Sequence, residues 1–131
     1  MTSNENWITE LKACDIKEID IANGNSLRVI GEGKMTFENK GEIIELEDVL
    51  VVPDLKANLI SVHQSIRKGC KFSFDKRGCI VTASNGKKII ATEENDGVYT
   101  ISPKVITAYK ATKGQTYILC NKMRISLSTK Q

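Results

Sequence analysis

The 131 residues suit a single domain with one hydrophobic core, and a chain of this size buries about two thirds of its unfolded surface. Apolar residues make up 40% and charged residues 27%, with nine Gly and two Pro, a balance that excludes a disordered, collagenous or wholly apolar chain. Residues 1–101 carry thirteen Lys/Arg against sixteen Asp/Glu, net −3, whereas residues 102–131 carry six Lys/Arg and no acid, net +6.

Short apolar runs recur between turn signals about every eight to twelve residues, the spacing of a β-sandwich or barrel. A first strand is expected over 16–22, closed by Asn23-Gly24-Asn25, whose residue types tolerate the positive φ of a hairpin turn. Residues 26–38 read as a long strand interrupted at Gly31-Glu32-Gly33, where paired glycines mark a bend or a close backbone approach. Asn39-Lys40-Gly41 then turns the chain into a strand over 42–52 that Pro53-Asp54 stops. Over 58–68 the period changes: Leu59, Val62 and Ile66 stand three and four apart and Gly69 follows, which predicts one short helix. Strands over 71–75, 79–83, 87–91 and 98–101 complete the pattern, with turns at Lys76-Arg77-Gly78, Ser84-Asn85-Gly86 and Asp96-Gly97. The chain is therefore expected to be mainly β. Nothing supports a structure for 115–119 beyond an added strand, which stays open.

Chemistry-bearing residues are sparse. Cys14, Cys70, Cys79 and Cys120 lie far apart with no C-x-x-C pair, and His63 is the one histidine, so neither a zinc site nor a redox motif is spelled out and no metal or cofactor is expected. His63 falls within a helical apolar pattern, where a packed or surface role is the expectation. Gly31-Glu32-Gly33 lacks the third glycine and the helix start of a dinucleotide loop, and Glu93-Glu94-Asn95-Asp96 lacks the spacing of a calcium loop. Runs such as Val49-Leu50-Val51-Val52 are too short to span a bilayer, and residues 1–6 have no apolar stretch of a secretory signal, so no membrane partner and a cytoplasmic location are expected. The cations of 102–131, with Tyr109 and Tyr117, form a stripe too dilute to mark a nucleic-acid site beside an acidic body. A basic C-terminal extension is the expectation for that segment.

The run Leu46-Glu47-Asp48-Val49-Leu50-Val51-Val52-Pro53-Asp54-Leu55-Lys56-Ala57-Asn58-Leu59-Ile60-Ser61-Val62 resembles the protease region of copia-type retrotransposon Pol polyproteins. The resemblance continues through Gly69-Cys70-Lys71-Phe72-Ser73-Phe74-Asp75, Gly78-Cys79-Ile80-Val81 and Gly97-Val98-Tyr99-Thr100-Ile101, so that it covers roughly residues 1–101. It implies a retropepsin-like small β-barrel over 1–101, with the β-barrel domain of such Pol polyproteins looking like the same unit. By the same resemblance Ile30, Gly31, Glu32 and Gly33 look like the glycine-rich, substrate-binding flap, and Asn58-Leu59-Ile60-Ser61 looks like the strand entering the single helix.

Aspartic proteases hold two carboxylates close enough to share one proton, so that the pair serves as general base and general acid toward one water. In the retroviral-type family each subunit of a homodimer supplies one Asp within Asp-Thr/Ser-Gly. None of Asp15, Asp20, Asp48, Asp54, Asp75 or Asp96 precedes Thr-Gly or Ser-Gly. In copia-type relatives Asp-Ser-Gly-Ala-Ser leads into a His-Met-Thr segment, and this chain opens with Met1-Thr2, so a fragment starting just downstream of the catalytic loop is expected. Beyond Pro103 the Trp-His and Gly-His segment that precedes the integrase in the family has no counterpart here. The expectation is a catalytically incomplete piece of a polyprotein-processing protease region, not an enzyme as it stands. The alternative is a non-catalytic module that binds an extended peptide or associates with itself or a related protease chain through exposed strand edges, with nucleic-acid binding through the basic residues of 102–131 ranked last.

Overall fold

A computed structural model describes residues 1–21, 23–93, 98–110, 116–122 and 125–128, with side chains through residue 106. After a 3-10 turn at Glu5–Trp7 the strands run in chain order: β1 (Thr9–Lys12), β2 (Glu18–Asp20), β3 (Ser26–Arg28), β4 (Gly31–Asn39), β5 (Glu42–Val51) and β6 (Asn58–Ser61). Helix α1 (Val62–Arg67) leads to β7 (Lys71–Asp75), β8 (Gly78–Thr82), β9 (Lys88–Glu93), β10 (Tyr99–Ile101), β11 (Lys104–Lys110), β12 (Thr116–Lys122) and β13 (Ile125–Ser128). The mainly β fold that the turn spacing predicts is the fold observed.

β4 organises the first sheet. Its residues alternate strictly between buried and half-buried, as a strand covered on one face must. β5 pairs along one edge, from Gly31 opposite Val51 to Asn39 opposite Glu42. The other edge is shared: β1 pairs near Glu32 and Lys34, β11 pairs at Thr36–Glu38, and β12 extends the sheet beyond β11. Lys40 and Gly41, at φ 49° and 85°, form the two-residue turn between β4 and β5, a conformation that glycine adopts without steric cost.

The second sheet runs β6-β13-β10-β9-β8-β7, with β6 and β13 parallel. Its inward residues Cys79, Val81, Ile89, Ala91 and Ile101 meet Met35, Phe37, Ile44, Val49 and Val105 of the first sheet in one core, at whose centre Phe37 and Val105 are wholly buried. Residues 1 and 2 link the two sheets. The Thr2 amide donates to the Leu50 carbonyl at 2.9 Å and the Val52 amide to the Thr2 carbonyl at 2.8 Å, while Met1 exchanges bonds with Leu59 on β6. β2 and β3 stand apart as a two-stranded hairpin.

Three local expectations are redrawn. The helix expected over 58–68 occupies Val62–Arg67, because Asn58–Ser61 pairs with β13 and Ser61 caps α1, its hydroxyl accepting from the Gln64 amide at 3.2 Å. The interruption expected at Gly31–Gly33 falls instead at Val29-Ile30, and the glycines lie inside β4. Within residues 102–131, expected as an extension, Lys104–Lys110 supplies β11 to the first sheet and Ile125–Ser128 supplies β13 to the second; Tyr109 and Tyr117 are backbone register partners of β11 and β12. The Asp96-Gly97 turn lies outside the described residues.

Candidate functional site

Ile30, Gly31, Glu32 and Gly33 come together at the start of β4, but as the interior of a sheet. The Ile30 amide donates to the Val51 carbonyl at 3.0 Å, and Gly31, Glu32 and Gly33 stand opposite Val51, Leu50 and Val49. On the far edge Glu32 pairs with Lys12 of β1. β1 crosses so close that a Cβ on Gly33 would collide with the Ile8 side chain and lie 2.6 Å from the Thr9 carbonyl oxygen. The glycines thus serve the close approach of one strand to another, and the β4–β5 hairpin tip is Lys40-Gly41.

Asp20, Asp48 and Asp75 are engaged in local structure. Asp48 occupies a bulge of β5 at φ 54° and receives the Lys68 ammonium at 2.9 Å. That hydrogen bond, and then the charge of Lys68, hold its carboxyl below the usual range. Asp75 caps its own turn: the Arg77 amide donates to Oδ1 at 2.7 Å and the Arg77 guanidinium to Oδ2 at 3.1 Å, which lowers its pKa as well. Asp20 accepts from the Ser26 hydroxyl at 2.7 Å across the β2–β3 hairpin. Asp15 is exposed, and Asp96 lies outside the described residues. Glu10 and Glu45 flank Lys34 at 3.1 and 3.9 Å, and the hydrogen bond that the Lys34 ammonium donates to Glu10, with both charges, raises the pKa of Lys34.

Among the described residues no three His, Cys, Asp or Glu gather to hold a metal ion. His63 sits half-buried in the first turn of α1. Cys14, Cys70 and Cys79 are free thiols, and burial pushes the Cys79 thiol up, away from the reactive thiolate.

A groove of about 650 Å³ lies between the β2–β3 hairpin and the segment joining β5 to β6. Leu27, Leu55 and Leu59 give it apolar lining, and Asn25, Asp54 and Lys56 supply polar groups. Sequence reasoning missed this groove, since its walls come from two stretches, 21–27 and 54–59, whose apposition depends on the whole fold. No strand or bilayer logic marks Leu55 as a lining residue in advance.

The family model for the Pol polyprotein beta-barrel domain matches residues 1–70. The chain belongs to that family. The match takes in β1 through β6 and α1 of this Pol β-barrel domain, hence the β4–β5 hairpin, the groove and the Met1-Thr2 link between the sheets. No curated protein and no solved structure matches the chain.

Proposed function

We propose that this Pol β-barrel domain is a catalytically incomplete part of a copia-type, retropepsin-like protease region, a fragment whose 131 residues do not by themselves hydrolyse peptide bonds. The observation that carries this reading is the disposition of the aspartates: none stands in Asp-Thr/Ser-Gly, and Asp20, Asp48 and Asp75 each stabilise a hairpin or a bulge. An aspartic peptidase needs two carboxylates sharing a proton across one water. A carboxylate tied to Lys68 or Arg77 is held ionised and cannot act as the acid of such a pair.

The position of residues 1 and 2 supports the retropepsin-like part of the reading. Met1-Thr2, the stretch that resembles the sequence following the catalytic loop, lies between β5 and β6 beside Asn58–Ser61, the stretch that resembles the strand entering the family's helix. The experiment is a peptidase assay of the purified chain on an unfolded protein substrate at mildly acidic pH, with and without a pepstatin-type inhibitor. No cleavage is expected; inhibitor-sensitive cleavage would sink the proposal.

A second reading, a module that holds an extended peptide without cutting it, is favoured by the groove at Leu27, Leu55 and Leu59, which offers apolar wall and polar groups together. Titration with a labelled peptide pool against the Leu55→Asp chain would test it: binding lost in the variant supports a groove site, and binding retained places it elsewhere.

A further inference from the structure

β7 ends the second sheet. It pairs with β8 on one side, and among the described residues no strand covers its other side. Natural edges are commonly blunted by proline, a bulge or a covering segment. Among the described residues β7 has no proline, bulge or covering strand: Lys71-Phe72-Ser73-Phe74-Asp75 pairs in unbroken register, and all its residues except Phe72 are exposed. Phe74 stands out as a large apolar side chain at 46% exposure, its ring 4.9 Å from that of Tyr99.

The open edge has a defined hydrogen-bonding pattern. Lys76 and Arg77 make a two-residue turn, so Asp75 and Gly78 are the closing hydrogen-bonded pair, and the alternation of an antiparallel ladder turns the main-chain groups of Lys71, Ser73 and Asp75 toward β8. The N–H and C=O of Phe72 and Phe74 therefore face outward. The side chains of Lys71, Ser73 and Asp75 share one face of the strand and those of Phe72 and Phe74 the other.

The strand is complementary to itself. Placed antiparallel to a second copy about a two-fold axis at Ser73, it sets Phe72 opposite Phe74, Lys71 opposite Asp75 and Ser73 opposite its own counterpart. Phe72 and Phe74 then become the hydrogen-bonded pairs, which uses the four outward groups of each copy. From the same register come two oppositely charged cross-strand pairs and two aromatic pairs, both stabilising arrangements. We propose that the domain forms a two-fold dimer by antiparallel pairing of β7 edges, its partner being a second copy of this chain, with the second sheet running continuously through both protomers.

Sedimentation velocity over a concentration series, with the wild-type chain, Lys71→Asp, Asp75→Lys and an equimolar mixture of the two variants, tests the pairing. Lys71→Asp sets acids against acids and Asp75→Lys sets bases against bases, so each should weaken the dimer by about tenfold or more. In the mixture each variant meets the opposite charge, and dimers of one copy of each should return. Because Asp75 also caps its turn, Ser73→Lys serves as a second probe; it brings two ammonium groups together at the axis, from a position exposed in the protomer. A wild-type chain that stays monomeric through the micromolar range, a dimer indifferent to Lys71→Asp and Ser73→Lys, or a mixture of folded variants that stays monomeric would each overturn the proposal.

Discussion

The α-amine of Met1 donates to the Leu59 carbonyl at 2.7 Å, and the Leu59 amide returns a bond to the Met1 carbonyl at 3.1 Å. This reciprocal pair closes one side of the barrel, because Thr2, one residue on, pairs with the end of β5. The residue is half-buried, but its amine is the enclosed end, and burial lowers the amine pKa to about 6 from the usual 8.0.

A pH dependence follows for the chain with a free Met1 amine. Between those two values the unfolded chain keeps a proton that the folded chain has released, so stability rises with pH from about 6 to 8 and levels off on either side. The gain is on the order of 2 kcal/mol. Urea unfolding across this range should show the slope, and acetylation of Met1 should flatten it. An acetylated chain with the same slope would place the titrating group elsewhere.

Asp48 is expected to show two separable contributions. With Gly33 opposite Val49 and Met35 opposite Leu46, Glu47 and Asp48 both oppose Lys34, and Asp48 takes up the extra residue at φ 54°. Asp48→Asn removes only the ion pair with Lys68, which is half-exposed, and should cost about 0.2–1 kcal/mol, fading at high salt. Asp48→Val adds a β-branched residue in the left-handed region and should cost about 1–3 kcal/mol more. The ion-pair part is present above the ordinary carboxyl value of 3.8 and is lost as pH falls through the lower folded value. Equal costs for the two variants in urea titrations would argue against the bulge.

Gly33→Ala should destabilise more than Gly41→Ala. At Gly33 the added methyl meets the Ile8 side chain and the Thr9 carbonyl, and overpacking of this kind costs about 1–3 kcal/mol. At Gly41 the methyl meets nothing within 4 Å, which leaves only the left-handed conformation, at roughly 1 kcal/mol. Thermal unfolding of the two variants gives the order directly, and the reverse order would place β1 away from the glycines.

Much of the fold was legible in local sequence. Residues 71–75 were read to the residue, and the Asn39-Lys40-Gly41 turn fixed the β4–β5 hairpin, because the two-residue alternation and the need for positive φ are both local signals. The spacing of Leu59, Val62 and Ile66 reads as helix from residue 58 on, whereas the family resemblance places a strand at Asn58–Ser61; β6 is that strand, held by pairing with Met1 and with β13. β1 was missed: Thr9–Lys12 is wholly exposed and carries no alternation, and it is held by the glycines of β4. Val105 looked like the start of a basic tail, yet it is buried against the core, a placement set by the edge that β4 leaves open beyond β1. The candidate site was the least legible part. The glycine run was visible, but what packs on it was not, and the groove at Leu55 arises from segments about thirty residues apart.

The most direct test of catalytic incompleteness compares two folded chains in one peptidase assay: the 131 residues, and the same chain preceded by Asp-Ser-Gly-Ala-Ser and the few residues that join it to Met1-Thr2. The account predicts pepstatin-sensitive cleavage by the extended chain alone. Equal pepstatin-sensitive cleavage by the 131 residues would contradict it.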